Sequence, residues 1–283
     1  MSKPIALQGA VVAITGGARG IGLAIAEALV NEGARVSIGD IDITLAKQEA
    51  SRLGAFAHVL DVRKASSFAA FLSATEAALG PVDVMINNAG IMPMGGFLEE
   101  DPALSDAQID INFRGVIHGM RQALPGMIAR GSGHVVNVAS LAGRFVIPGA
   151  SIYCGTKFAV IGLTESVAAE FRDSGVNFTV IMPSAVSTEL TSGTGAAAKG
   201  MLPVVTPQAV ADAVVKSLKS PRLMVAVPDY LGKAAALYNL IPHRATEFGR
   251  RLMDDHRLLK KLDHAAHAVY DKRINALADA KKS

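Results

Sequence analysis

The sequence predicts an α/β fold, a doubly wound and mainly parallel sheet of seven strands with helices on both faces. Three observations carry the prediction. Short apolar, β-branched runs alternate with longer helical patterns along the chain, the pattern of strands joined by crossover helices. The short runs are almost continuously hydrophobic rather than alternating, as strands covered on both faces should be. A glycine-rich turn joins the first strand to the first helix.

The elements follow in order. Val11–Thr15 is the first strand and Gly20–Glu32 the first helix. Arg35–Gly39 with Ile43–Leu53, Ala57–Leu60 with Ser66–Leu79, Val82–Asn87 with Ser105–Ala129, and His134–Ala139 with Ile152–Ser174 repeat the unit. Asn177–Met182, the helix Pro207–Ser220 and the strand Leu223–Val227 complete it, so residues 1–228 read as a single domain. Within a loop at about 187–203, Thr191–Gly200 is rich in Gly, Ala, Ser and Thr. Such a stretch is a linker or a flexible flap over a ligand, and its place at the carboxyl end of a strand favours the flap.

Residues 229–283 form a C-terminal extension. Leu252, Leu259, Leu262, Ala266, Val269, Ile274 and Leu277 recur mostly at three- and four-residue steps, with Lys and Arg between them, and Leu231–Ile241 is more evenly apolar. That pattern predicts amphipathic helix. Three readings compete for the extension: a cap on a substrate pocket, a contact with a sister subunit, or an association with an anionic membrane surface.

Composition narrows the function classes. Half the residues are hydrophobic and 19% are charged, which excludes global disorder. The net charge of +3 is uneven: residues 1–228 hold 17 basic and 18 acidic side chains, residues 229–283 hold 11 and 7. The basic balance belongs to the extension, and no nucleic-acid-binding motif accompanies it. One cysteine, Cys154, excludes an internal disulfide and any multi-cysteine metal site. The start Met1-Ser2-Lys3-Pro4 has no signal-peptide pattern, and no apolar run reaches a membrane span. The expectation is a cytoplasmic protein, with peripheral membrane contact open only through the extension.

The motifs carry the chemistry. Thr15-Gly16-Gly17-Ala18-Arg19-Gly20-Ile21-Gly22 lies between a strand and a helix, where glycines allow close approach to a pyrophosphate and the helix start offers N–H donors. Asp40 ends the second strand, 18 residues after Gly22, the place of an acid that binds a ribose 2′-hydroxyl and repels a 2′-phosphate. It favours NAD over NADP; Arg19 points weakly the other way. Ser140 ends the fifth strand, and Tyr153 and Lys157 share a helix face at i and i+4. An ammonium beside a phenol lowers its pKa and fits it for proton exchange with an alcohol. His264 and His267, three apart, have no third metal ligand in view, so a solvated helix face and no metal are expected. His118 and His134 read as structural or exposed, Cys154 as a buried inert thiol, and Met92 and Met94 as core or an apolar substrate mouth.

Taken together, Thr15-Gly16-x-x-x-Gly20-x-Gly22, Asp61-Val62, Asn87-Asn88-Ala89-Gly90, Asn112, Ser140 and Tyr153-x-x-x-Lys157 resemble the short-chain dehydrogenase/reductase family over roughly residues 8–190. The resemblance implies a Rossmann-type catalytic domain. It places Thr15, Gly16, Arg19, Gly20, Ile21 and Gly22 by the cofactor phosphates, Asp40 on the adenosine ribose and Asp61 and Val62 by the adenine. Asn88, Ala89 and Gly90 would flank the nicotinamide, with Pro183, Val186 and Thr188 on its carboxamide side. Tyr153 would be the general acid/base, Lys157 would hold the nicotinamide ribose and lower the phenol pKa, Ser140 would hold the substrate, and Asn112 would support a proton relay through a backbone kink. The implied activity is hydride transfer between NAD(H) and a secondary alcohol or ketone, of lipophilic character from the apolar loop and tail. NADP preference and a non-catalytic nucleotide sensor are the alternatives, and the implied assembly is a homodimer or homotetramer built through the long helices carrying Asn112 and Tyr153. One departure stands out: Ser184 follows Pro183 where the family usually has glycine.

Overall fold

The computed structural model describes residues 3–188 and 203–238, and beyond them residues 241, 242, 244, 246, 247, 270 and 272–274. Its main sheet has seven parallel strands in the order β3-β2-β1-β4-β5-β6-β9. They are β1 (Val11–Thr15), β2 (Arg35–Asp40), β3 (Phe56–Val59), β4 (Val84–Asn87), β5 (Gly133–Val138), β6 (Val176–Pro183) and β9 (Met224–Val227). The order reverses between β1 and β4, which opens a crevice at their carboxyl ends. A pair too short to read from sequence, β7 (Ala185–Val186) and β8 (Val204–Val205), runs parallel on its own with Ala185 opposite Val204.

Alternation along each strand divides the core. Val11 and Ala13 of β1 face one side with Phe68, Phe71, Met85, Met127, Val160 and Val180, while Val12 and Ile14 face the other with Ile25, Leu29, Ile38, Ile86 and Leu218. The first layer is covered by α3 (Ala65–Leu79), α5 (Gly115–Ala129) and α6 (Ser151–Glu170). The second is covered by α1 (Gly20–Asn31), α2 (Ile43–Leu53) and α7 (Pro207–Lys219). From the extension, Leu231 and Ala235 of α8 (Tyr230–Tyr238) are buried, and Leu231, Tyr270 and Ile274 join the first layer.

Two helices differ from the sequence expectation. The stretch expected as Ser105–Ala129 starts earlier, at α4 (Pro102–Ile109), because Asp101 accepts a hydrogen bond from the Ala103 N–H and Pro102 fits the first turn. It then passes through a π-helical turn, Asp110–Arg114, before α5. The helix expected to reach Ser174 stops at Glu170, where Ser174 Oγ donates to the Phe171 carbonyl and Gly175 takes φ +80°. The fourth strand begins at Val84 rather than Val82. Thr191–Gly200, His264, His267 and most of the amphipathic repeat lie outside the described residues. Among the described residues no helix is long and apolar enough to cross a membrane.

Candidate active site

The crevice between β1 and β4 is held together by Thr15 and Asn88. Thr15 Oγ1 accepts from the N–H groups of Asn88 and Ala89 at 2.9 and 3.0 Å. Asn88 Nδ2 donates to the carbonyls of Thr15 and Gly16, both at 3.0 Å. This tie explains two of the glycines without any ligand. A Cβ on Gly22 would lie 2.2 Å from the Gly16 carbonyl oxygen, and one on Gly16 (φ +64°) would lie 2.9 Å from Ala89 Cα. Gly20 is different. It is exposed, has φ +56°, and its missing Cβ faces Thr188 Cγ2 at 3.6 Å across the open mouth. Arg19 occupies the N-cap of α1 without a side-chain capping bond, and Ile21 is half-buried against the second core layer. A cradle of bare backbone at an uncapped helix start fits a dinucleotide pyrophosphate.

Asp40 is buried at the end of β2. One carboxylate oxygen accepts from the Ala18 N–H and the other from the Asp42 N–H, each at 3.1 Å. Each oxygen retains capacity for another donor. Arg19 pairs with Asp42 at 2.5 Å, and Asp42 also caps α2 by accepting from the Leu45 N–H. Asp61 is half-buried; burial works against its charge, but the Arg63 guanidinium and N–H, with Lys64, hold its carboxyl below the usual range. Val62 is buried against Gly115, where an added Cβ would come within 3.0 Å of it.

The chemical residues meet on the other side of the switch. Ser140 sits just past β5, where its Oγ accepts from the Ala142 N–H and starts a single 3-10 turn, Leu141–Gly143. Tyr153 and Lys157 are buried on α6, and Lys157 Nζ lies 5.5 Å from the Tyr153 ring centroid. Lys157 Nζ donates to the Val138 carbonyl at 3.0 Å. Burial pushes the lysine down to about 8 and the phenol up to about 12, Ser140 working against the latter shift. The lowered phenol expected from an adjacent ammonium is therefore not found: Lys157 lies over the ring rather than at the hydroxyl, and burial dominates.

Asn112 occupies the π-helical turn. Its Oδ1 accepts from the Ile91 N–H and its Nδ2 donates to the Ile91 carbonyl, both at 2.8 Å. The backbone kink expected there is this turn, a form of distortion that recurs at functional sites. Asn112 Nδ2 also reaches Thr156 Oγ1 at 3.3 Å, and Gly90 leaves space beside Asn112 Oδ1 and Lys157 Nζ. Pro183 ends β6; Val186 is buried, and the Thr188 N–H donates to the Val186 carbonyl at 2.8 Å. Ser184 Oγ donates to the Pro203 carbonyl at 2.6 Å.

A sequence profile of the short chain dehydrogenases matches residues 10–199. The chain belongs to the short-chain dehydrogenase/reductase family. As a member it is an NAD(P)-dependent oxidoreductase acting on CH–OH donors. It is 38% identical over 186 residues to 2-(S)-hydroxypropyl-CoM dehydrogenase 3 of Xanthobacter autotrophicus, covering 64% of this chain and 73% of the relative. It is 36% identical over 227 residues to the ketoacyl reductase HetN of Nostoc, covering 78% and 79%. Among solved structures, a short-chain dehydrogenase/reductase from Burkholderia phymatum in complex with NAD superposes with a TM-score of 0.75 at 25% identity, covering 82% of this chain and 94% of that one.

Around Tyr153 the packing of this short-chain dehydrogenase/reductase is apolar. Met92, Ala142, Ala150, Tyr153 and Cys154 form one buried cluster, with Met94 and Ile147 against it. The methionines thus stand beside Tyr153, and Cys154 is a buried part of the same wall. His134, by contrast, is buried far back on β5, where its Nε2 meets Thr179 Oγ1 at 2.8 Å. Sequence reasoning missed Thr156, which accepts from Asn112 and donates to the Tyr153 carbonyl at 2.7 Å; its signal was a hydroxyl three residues after the tyrosine. It also missed Tyr270, for which the sequence holds no signal.

Proposed function

We propose that this enzyme transfers a hydride between NAD(H) and a lipophilic secondary alcohol or ketone, with Tyr153 exchanging the proton. The observation that carries the proposal is the burial of Tyr153 and Lys157 together on α6, the ammonium 5.5 Å from the phenol ring centroid and tied to the strand that leads to Ser140, with Met92, Met94 and Ile147 packed around the tyrosine. A bound nicotinamide supplies the hydride donor or acceptor. Gly20 and the open start of α1 bind its phosphates, and Asp40 and Asp61 address its adenosine half. Asn88, Ala89, Gly90, Pro183, Val186 and Thr188 line the nicotinamide side. Ser140 orients the substrate oxygen and Tyr153, protonated at neutral pH, gives its proton to the oxygen of a ketone being reduced. In the reverse direction Lys157 supports the phenolate, while Asn112 braces the Ile91 backbone and leads to the relay of protons outward.

Asp40 and Asp42 support NAD over NADP, since both place negative charge where a 2′-phosphate would go and the latter engages Arg19. The structural relative bound to NAD supports the same choice, and relatives named for hydroxypropyl, ketoacyl and cyclohexadiene-diol substrates support an alcohol or ketone substrate. Exposed Ile109 on α4 and Phe158 on α6 support assembly through these helices. The test is turnover of a panel of secondary alcohols and ketones with NAD(H) and NADP(H) in parallel. The expected result is NAD(H)-linked turnover that falls at least about 10³-fold in Tyr153→Phe, the range of general acid–base catalysis, with NADH affinity retained. Retained activity in that variant refutes the assignment.

A further inference from the structure

Tyr270 belongs to the C-terminal extension, yet it is 3% exposed and packs into the core layer that holds Ile91, Leu141, Met182 and Leu231. Its hydroxyl accepts a hydrogen bond from the Met92 N–H at 2.7 Å, across 178 positions of sequence. Met92 is the residue that packs with Tyr153, Ala142, Ala150 and Cys154. Ile274, one helical turn on, is 1% exposed in the same layer, and the Arg273 guanidinium lies 5.4 Å from the Tyr270 ring centroid. The segment is therefore anchored at Tyr270 and again one turn later at Ile274.

We infer that Tyr270 is a positioning residue of the substrate pocket: it fixes the backbone at Met92, and so the wall opposite Tyr153, making the extension a determinant of which alcohol fits. The inference rests on the oxidoreductase reading for its meaning, though not for its geometry. The strand β4 ends at Asn87, and beyond it Asn88 and Ala89 are tied to Thr15, while among the described residues no strand pairs with residues 90–92. On this stretch the Met92 amide is buried, and a buried amide needs an acceptor. Asn112 supplies one for Ile91, and Tyr270 supplies the one for Met92. Removing the phenolic oxygen alone leaves the ring in the core and the amide without its partner, so the wall must shift or admit water.

Cys154, the chain's one cysteine, reports on that wall independently of turnover. In the full chain, Tyr270→Phe is expected to speed alkylation of Cys154 by iodoacetamide about tenfold, the factor carried by one neutral hydrogen bond. Ile25→Val, a core change on the opposite face of the sheet, should leave that rate near the parent's. In Tyr270→Phe the ratio of kcat/KM for cyclohexanol to that for 2-propanol should shift about tenfold through KM, with kcat little changed. An unchanged thiol rate, or an unchanged ratio with turnover intact, overturns the inference. If the parent chain binds NADH but turns over neither these alcohols nor their ketones, the proposed substrate class is what has failed, and the thiol rate still decides the role of Tyr270.

Discussion

Lys157 donates to the carbonyl of Val138 at 3.0 Å, so the ammonium of α6 is fixed to the carboxyl end of β5. The bond links the helix that carries Tyr153 to the strand that delivers Ser140. It also holds a charge where burial pulls the lysine down to about 8.

That depression has a pH signature. Between about pH 8 and 10 the unfolded lysine keeps a proton that the folded one has lost, so this group makes stability rise with pH, by at most about 1.4 kcal/mol per unit. Above pH 10 Tyr153, raised to about 12 in the fold, acts the opposite way. Urea unfolding of the parent and of Lys157→Met, without nucleotide, should show the rise across pH 8–10 in the parent and its loss in the variant.

Asp40 sets the second expectation. Asp40→Ser removes one negative charge beside the proposed ribose site while Asp42 stays paired with Arg19. The NADP/NAD ratio of kcat/KM should rise about 10- to 100-fold, the worth of one like charge at ~6 Å in a partly polar site. A ratio that does not move would place the discrimination elsewhere.

Ser184 follows directly on Pro183 at the end of β6, and its hydroxyl donates to the Pro203 carbonyl. Ser184→Gly loses that bond and gains backbone freedom, together about 1–2 kcal/mol. Thermal unfolding should come roughly 2–8 °C lower, given the ~2–4 °C per kcal/mol of a chain this size.

His134 is pushed down to about 3 by burial, and among the described residues its Nδ1 has no hydrogen-bond partner. From pH 6.5 down toward 3 the unfolded histidine takes a proton that the folded one refuses. Stability from this group is complete above pH 6.5 and falls as the pH drops, by about 1.4 kcal/mol per unit. His134→Gln should unfold at urea concentrations that vary less between pH 7 and pH 5 than the parent's.

The sheet was legible because each buried strand is a run of apolar residues and each crossover a helix of the right length. Tyr153, Lys157 and the glycine turn were legible because their spacing within one element is fixed by helical geometry. What was hidden depends on contacts distant in sequence. The π-helical turn at Asn112 is stabilised by the Ile91 backbone 21 positions away. The β7–β8 pair has two residues per strand, too few for any periodicity to register. The direction of the Tyr153 shift follows from how deeply the phenol is buried, which Tyr-x-x-x-Lys does not encode. Glycines 16 and 22 read from the motif as ligand contacts, and their own chain also requires them, which the motif does not reveal.

The reversal of strand order between β1 and β4 has a consequence for how such a chain can change. Under the roles proposed here, everything that addresses the adenosine half of the cofactor lies before the reversal, at Gly16–Gly22, Asp40 and Asp61. Everything that touches the reacting half lies after it, at Asn88, Ser140, Tyr153, Lys157 and Val186. Nucleotide choice and substrate choice are thereby inherited as separate blocks of text, and a graft of residues 10–62 would exchange the first while leaving the second to drift on its own.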